Sequence, residues 1–371
     1  MENSFENVKA PEPLGLRKSR FNVNDAAFAC IVFIIFNILT PFLISGIDIR
    51  AIKNTVWYYL LQFAVEALFA IAAIVVTETR KLNFIEDTGM KNKVSWKMVG
   101  WCACVSIISI MFFGNLTNVF VAFIELLGYS SILGSLDIAT PSQFIGMLFS
   151  TCVAAAFCEE VLFRGVILSG FRKYGARVAI LASSFIFMIM HGNAEQTVHQ
   201  FIVGVIVGTL FYKTGNLWIG VLVHFFNNLI PVAVTYYLST SVPAATEVAT
   251  EAVTTAEVGF GTLLLDFGIA VLGAWFGYQL LKWFFSKIYE ENKKLNGEYE
   301  VVGQKTEVVI DGEQTTVDMT IDGEPVEVVS QENTNENKVE PMSSATLFMF
   351  IISGVYLIGT WIMNTISGFL I

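Results

Sequence analysis

Charge is what this chain has least of. Lys, Arg, Asp and Glu make up 15% of its 371 residues, where a soluble domain carries about 25%. That scarcity argues against a water-soluble globular protein of this size. The net charge is −10, so the broad basic footprint that nucleic acid requires is missing. The acidic excess is itself local, most of it falling between residues 290 and 340. Histidine occurs three times, at His191, His199 and His224. The five cysteines (Cys30, Cys102, Cys104, Cys152 and Cys158) all lie inside apolar segments, with no pair at zinc-ribbon spacing. They read as small buried hydrophobes, not as a disulfide framework. The first 25 residues are polar, and no small-residue cleavage site follows the first apolar stretch, so no secretory signal peptide is expected.

Apolar residues are abundant instead, at 54% of the chain. A helix needs about 20 predominantly apolar residues to cross a bilayer core. Nine stretches qualify: 26–47, 57–77, 98–126, 143–168, 177–192, 197–213, 216–238, 259–285 and 344–370. The expected fold is therefore an all-α polytopic membrane bundle of eight or nine spans, the fifth and sixth being short and joined through HGNAEQ (191–196). With the N-terminus in the cytoplasm, 20 of the 22 basic residues fall on the inner side, and Arg50 and Lys53 alone fall outside. Positive residues favour the cytoplasm, which places the C-terminus outside.

The expected organisation is an N-terminal cytoplasmic segment (1–25), N-terminal spans (26–139) and a core (140–238). An outer loop (239–257), a span (258–285), an acidic cytoplasmic insertion (286–343) and a last span (344–371) follow. Inside the insertion, IDGE recurs at Ile310 and Ile321. Asp-Gly steps between β-branched runs signal hairpins, so a small sheet is expected at 298–330. The insertion holds no His, Cys or phosphate-binding glycine loop, and reads as an acidic spacer or a docking segment.

The chemistry concentrates in the apolar run 147–168, where Glu159 and Glu160 stand side by side. An ionised side chain at membrane depth costs a few kcal/mol or more by insertion scales, and such residues usually mark function. Glu160 and Arg164 have the i, i+4 spacing of a helix-face pair, as do His224 and Asn228. Counted from the nearest cytoplasmic basic residue, Glu159, His191 and His224 lie roughly 20, 21 and 16 Å deep at 1.5 Å per residue. Three helices thus bring ionisable groups to a common level. A carboxylate held out of water, with a histidine, can deprotonate a water. A second histidine with an amide can donate to a carbonyl oxyanion. That set describes water attack on an amide. The chain has no GxSxG and no HExxH, which removes the usual grounds for a serine nucleophile or a zinc-protease helix. Glu159, His191 and His224 could still ligate a divalent metal such as zinc. His199 and Phe187, taken singly, read as packing residues.

The motifs resemble a known family. Glu159-Glu160-Val161-Leu162-Phe163-Arg164 matches the EExxxR motif of the CPBP intramembrane proteases, also called the CAAX protease or Abi bacteriocin-processing family. Phe187 to His191 matches its FxxxH motif and His224 to Asn228 its HxxxN motif, in the family's order and on separate spans. The resemblance covers about 140–238. It implies Glu159 as the general base with His191, Glu160 and Arg164 shaping the site, and His224 with Asn228 stabilising the oxyanion; Phe187 belongs to the motif. Members have been described both as metalloproteases and as metal-free glutamate enzymes. The implied partners are membrane lipid and a peptide or protein substrate, prenylated in the eukaryotic branch, bacteriocin-like or peptidic in bacteria. Two readings from other classes stay open: a non-catalytic scaffold or immunity protein, and a proton-coupled transporter, since buried Glu and His also form proton relays.

Overall fold

The computed structural model describes residues 20–131, 138–241, 260–297, 305–310, 313–318 and 342–370. Among these, nine long helices follow one another: α1 (Val23–Ile44), α2 (Val56–Thr79), α3 (Trp96–Leu126), α4 (Pro141–Tyr174), α5 (Ala176–Met190), α6 (Thr197–Thr214), α7 (Leu217–Ser241), α8 (Phe260–Asn296) and α9 (Ser344–Leu370). Single-turn helices at Ile49–Ile52 and Phe84–Asp87 sit in the connections. The helix starts are written locally. Asn22 caps α1 in a reciprocal box with Asp25, and Thr140 caps α4 in another with Gln143, with Pro141 in the first turn. Gly175, at φ +87°, makes the turn from α4 to α5 that a residue with a Cβ would resist.

Among the described residues, seven helices are long and apolar enough to cross a membrane: α1, α2, α3, α4, α7, α8 and α9. The expected fifth and sixth spans are α5 and α6, of 15 and 18 residues, which fall short on length and on apolar composition respectively. α6 is an interior element with no exposed residue, whereas α5 keeps Val178, Leu181 and Phe185 exposed along one face. α6 carries Gln200, Thr209, Lys213 and Thr214, and Val203, Val207, Leu210 and Phe211 on its other turns are buried. A second difference lies at α8, which continues past the expected boundary at 285 to Asn296. Ile288 packs in the core there, and Asn292 exchanges hydrogen bonds with Asn216 and Thr214 at 2.9 and 3.2 Å.

Burial ranks the helices. In α4, 56% of the apolar window is buried, against 17% in each of α3, α8 and α9. α4 is thus the central post, and α3, α8 and α9 present apolar faces outward. Leu43, Phe42 and Leu272 are 80%, 74% and 70% exposed, a pattern water would penalise and a bilayer rewards. One apolar cluster unites α1, α2, α4 and α5 around Phe163, Ile167 and Phe187, and another unites α3, α6, α7 and α8 around Met98, Leu210 and Ile219. The architecture is an all-α polytopic membrane bundle.

The expected N-terminal segment, outer loop and acidic insertion lie largely outside the described residues. Within the insertion, strands β1 (Lys305–Ile310) and β2 (Glu313–Asp318) pair antiparallel, Ile310 opposite Glu313.

Candidate active site

The helix that carries the two glutamates is not a regular α-helix throughout. Leu148–Ala154 and Val161–Leu168 take the wider i→i+5 winding, leaving Ala155–Glu160 as an α-helical step between them. Such widened turns are frequent at functional sites because they re-aim side chains without ending the helix.

Glu160 is fully buried, and its Oε1 accepts from two sides. Arg164 Nη1 donates at 2.8 Å and His224 Nδ1 at 3.0 Å. Arg164, also fully buried, sends Nη2 to the Gly204 carbonyl of α6 at 3.2 Å and lays its guanidinium 4.7 Å over the Phe187 ring. Gly220 of α7 stands beside the other carboxylate oxygen: a Cβ there would come within 3.0 Å of Glu160 Oε2. Four helices therefore close on the Glu160–Arg164 pair.

Phe187 is the centre of the aromatic contacts. Its ring meets that of His191 at 4.8 Å, that of His224 at 5.8 Å and that of Phe163 at 4.9 Å, all edge-on. The FxxxH spacing places His191 one turn on, where its Nδ1–H donates to the Phe187 carbonyl at 2.8 Å. That bond fixes the neutral tautomer and leaves Nε2 with its lone pair. The His224 ring is oriented through Nδ1 by Glu160 Oε1.

Glu159, on the adjacent face, is buried without an N–H or hydroxyl donor on Oε2. No direct hydrogen bond joins it to His191 among the described contacts. Its carboxyl neighbour is Glu66 of α2, which the sequence reading passed over. The signal was present: Glu66 is a lone carboxylate in the apolar run 58–76, the same anomaly that marks Glu159 and Glu160. Asn228 donates through Nδ2 to the Thr151 carbonyl at 3.0 Å, which leaves its second amide N–H for another acceptor. His199, read as a packing residue, is held by the amide of Asn227 at its Nε2, 3.1 Å away. All three histidines lie within electrostatic range of one another.

The loop after His191 is fastened from outside the core. Asn364 of α9 donates to the Gly192 carbonyl at 2.6 Å, and Trp361 donates to Asn193 O at 3.2 Å and Thr197 Oγ1 at 3.0 Å. Tyr129 and Ser131 reach Glu195 at 3.1 and 2.8 Å. Burial and the Glu195 carboxylate push the Tyr129 phenol up to about 12, so it stays a donor at ordinary pH.

Among the described residues, no three His, Cys, Asp or Glu side chains converge as a ligand set for a metal ion. Glu160 is engaged by Arg164 and His224, and Glu159 faces another carboxyl. The residues present do not fit the zinc site that Glu159, His191 and His224 could have formed, and no step below runs through a metal.

Residues 141–230 match the family described as type II CAAX prenyl endopeptidase Rce1-like. The match covers the segment that carries all three motifs and bears out the resemblance to the CPBP proteases. It supports a multi-pass membrane protein with intramembrane endopeptidase activity. No curated protein and no solved structure matches the chain.

Proposed function

We propose that this chain hydrolyses a peptide bond inside the membrane with a water activated by Glu159 and His191. The observation that carries the reading is the convergence of Glu160, Arg164, Phe187, His191 and His224 from three separate motifs on one buried cluster, with Glu159 on the next face. In the proposed step, Glu159 takes a proton from water while His191 Nε2 accepts the water's other hydrogen. The water oxygen adds to the carbonyl carbon, and the electron pair moves to the carbonyl oxygen. His224, acting in this step as an imidazolium whose Nδ1–H is held by Glu160, donates from Nε2–H to that oxyanion, joined by the free amide N–H of Asn228. Collapse breaks the C–N bond, and the proton held by Glu159 passes to the leaving amine.

The substrate is a peptide or protein that reaches the site at membrane depth; the name of the matching family makes a prenylated CAAX terminus the first probe. The protein sits in the cell membrane with its N-terminus in the cytoplasm and its C-terminus outside. A cysteine introduced by Lys53→Cys should then react with a membrane-impermeant maleimide added to intact cells, and one introduced by Lys97→Cys should not. The catalytic reading is tested by N-terminal proteomics on membranes from cells carrying wild-type or Glu159→Gln protein. New N-termini present with the wild type and absent from the variant are expected. Identical sets of termini would remove the enzyme reading and leave the non-catalytic scaffold.

A further inference from the structure

α2 packs against α4 along a continuous stripe. Tyr59 lies against Gly146. One turn on, Gln62 Oε1 accepts from Ser150 Oγ at 3.1 Å. Further along, the Phe69 and Phe163 rings are 5.9 Å apart and Cys158 contacts the Ala70 backbone. Residues 59, 62, 66 and 69 share one helix face, so Glu66 is delivered to the level of Glu159 by contacts on both sides of it. The two carboxyl groups are hydrogen-bond neighbours. Each has an Oε2 atom shielded from solvent to which no other residue donates. Arg164 balances Glu160, and no basic side chain pairs with Glu66 among the described residues.

Two ionised carboxylates in such contact would repel without water to screen them. A hydrogen bond between carboxyl groups requires one shared proton, as in the dyads where two carboxyls hold a single proton between them. We propose that Glu66 is a positioning residue for Glu159: a carboxyl–carboxyl hydrogen bond from α2 holds the base's side chain in one orientation and directs its remaining lone pairs at the water. The proposal rests on the function given above for Glu159, but Glu66 lies outside residues 141–230, so the family match does not supply it. Proton transfer from water to Glu159 is unchanged by it, and Glu66 neither gains nor loses a proton over the cycle.

The test uses the full-length chain in lipid nanodiscs, as wild type, Glu66→Gln, Glu66→Leu and Glu159→Gln. Infrared difference spectra read the carbonyl stretch of a protonated carboxyl and need no substrate. A band present in the wild type should be lost or shifted in both Glu66→Gln and Glu159→Gln; a band unchanged in either overturns the proposal. The second readout is turnover of an internally quenched farnesylated CAAX peptide. Loss of positioning should lower kcat at least about tenfold in Glu66→Leu, with KM changed by less than about twofold. Glu66→Gln, whose amide can donate to Glu159, should recover kcat to within about threefold of the wild type. Wild-type kcat in Glu66→Leu, or a Glu66→Gln variant as slow as Glu66→Leu, overturns it. A wild type that cleaves no such peptide bears on the substrate and function proposed above, and the infrared arm then decides the role of Glu66.

Discussion

Glu160 shows how much a single buried charge demands of its surroundings. Taking a carboxylate out of water costs several kcal/mol unless donors replace the water, and removing one partner leaves the full cost exposed. Arg164→Leu should therefore destabilise the folded protein by about 3–5 kcal/mol, read as a drop in the thermal midpoint in detergent; an unchanged midpoint would mean that His224 alone satisfies the carboxylate. Space is as restricted as charge. A methyl group at Gly220 would press on Glu160 Oε2 and on Val207 Cγ1, each at 3.0 Å. Gly220→Ala should cost about 1–3 kcal/mol by overpacking and shift the His224 ring signals in a histidine-labelled NMR spectrum. The pairing of Glu160 with Arg164 was legible in the i, i+4 spacing. Its second partner was not, because the residue 64 positions further on is brought there by the packing of α7, and local sequence carries no such distance.

At the scale of elements, α9 has a task its sequence does not announce. It reads as one more apolar span, yet Trp361 and Asn364 fasten the loop that follows His191. Asn364→Ala frees the Gly192 carbonyl at a cost of about 1 kcal/mol, roughly fivefold in the local opening equilibrium. Amide exchange over 192–197 should speed up by that factor, while exchange in the buried turn 161–168 of α4 stays as it was; equal rates in the loop would show that Tyr129, Ser131 and Trp361 suffice. α6 teaches the converse. Its apolar run reads as a span, but a short helix inside a bundle and a short helix in lipid bury the same residue types, and periodicity cannot separate the two. α8 passed its expected end at 285 because Glu, Lys and Leu there favour helix and because Asn292 finds partners on α6 and at Asn216.

For the whole molecule, the exposed apolar faces of seven helices set the solvent. High-salt and carbonate washes should leave the chain in the membrane fraction and detergent should release it; release by salt alone would contradict an integral bundle. The membrane class follows from the sequence alone, since composition and run length depend on no contact. The positions of Glu159, His191 and His224 along their runs also gave three groups at one level, and the order of the motifs gave the resemblance. Tertiary structure decided what those groups touch. It turned Glu160 toward both Arg164 and His224, set Phe187 between two histidines, withheld a direct bond between Glu159 and His191, and brought Glu66 from α2 to Glu159. The physical reason is that hydropathy and spacing fix depth along a helix axis, whereas the rotation of each helix and the choice of its neighbours come from side-chain packing between segments far apart in the chain.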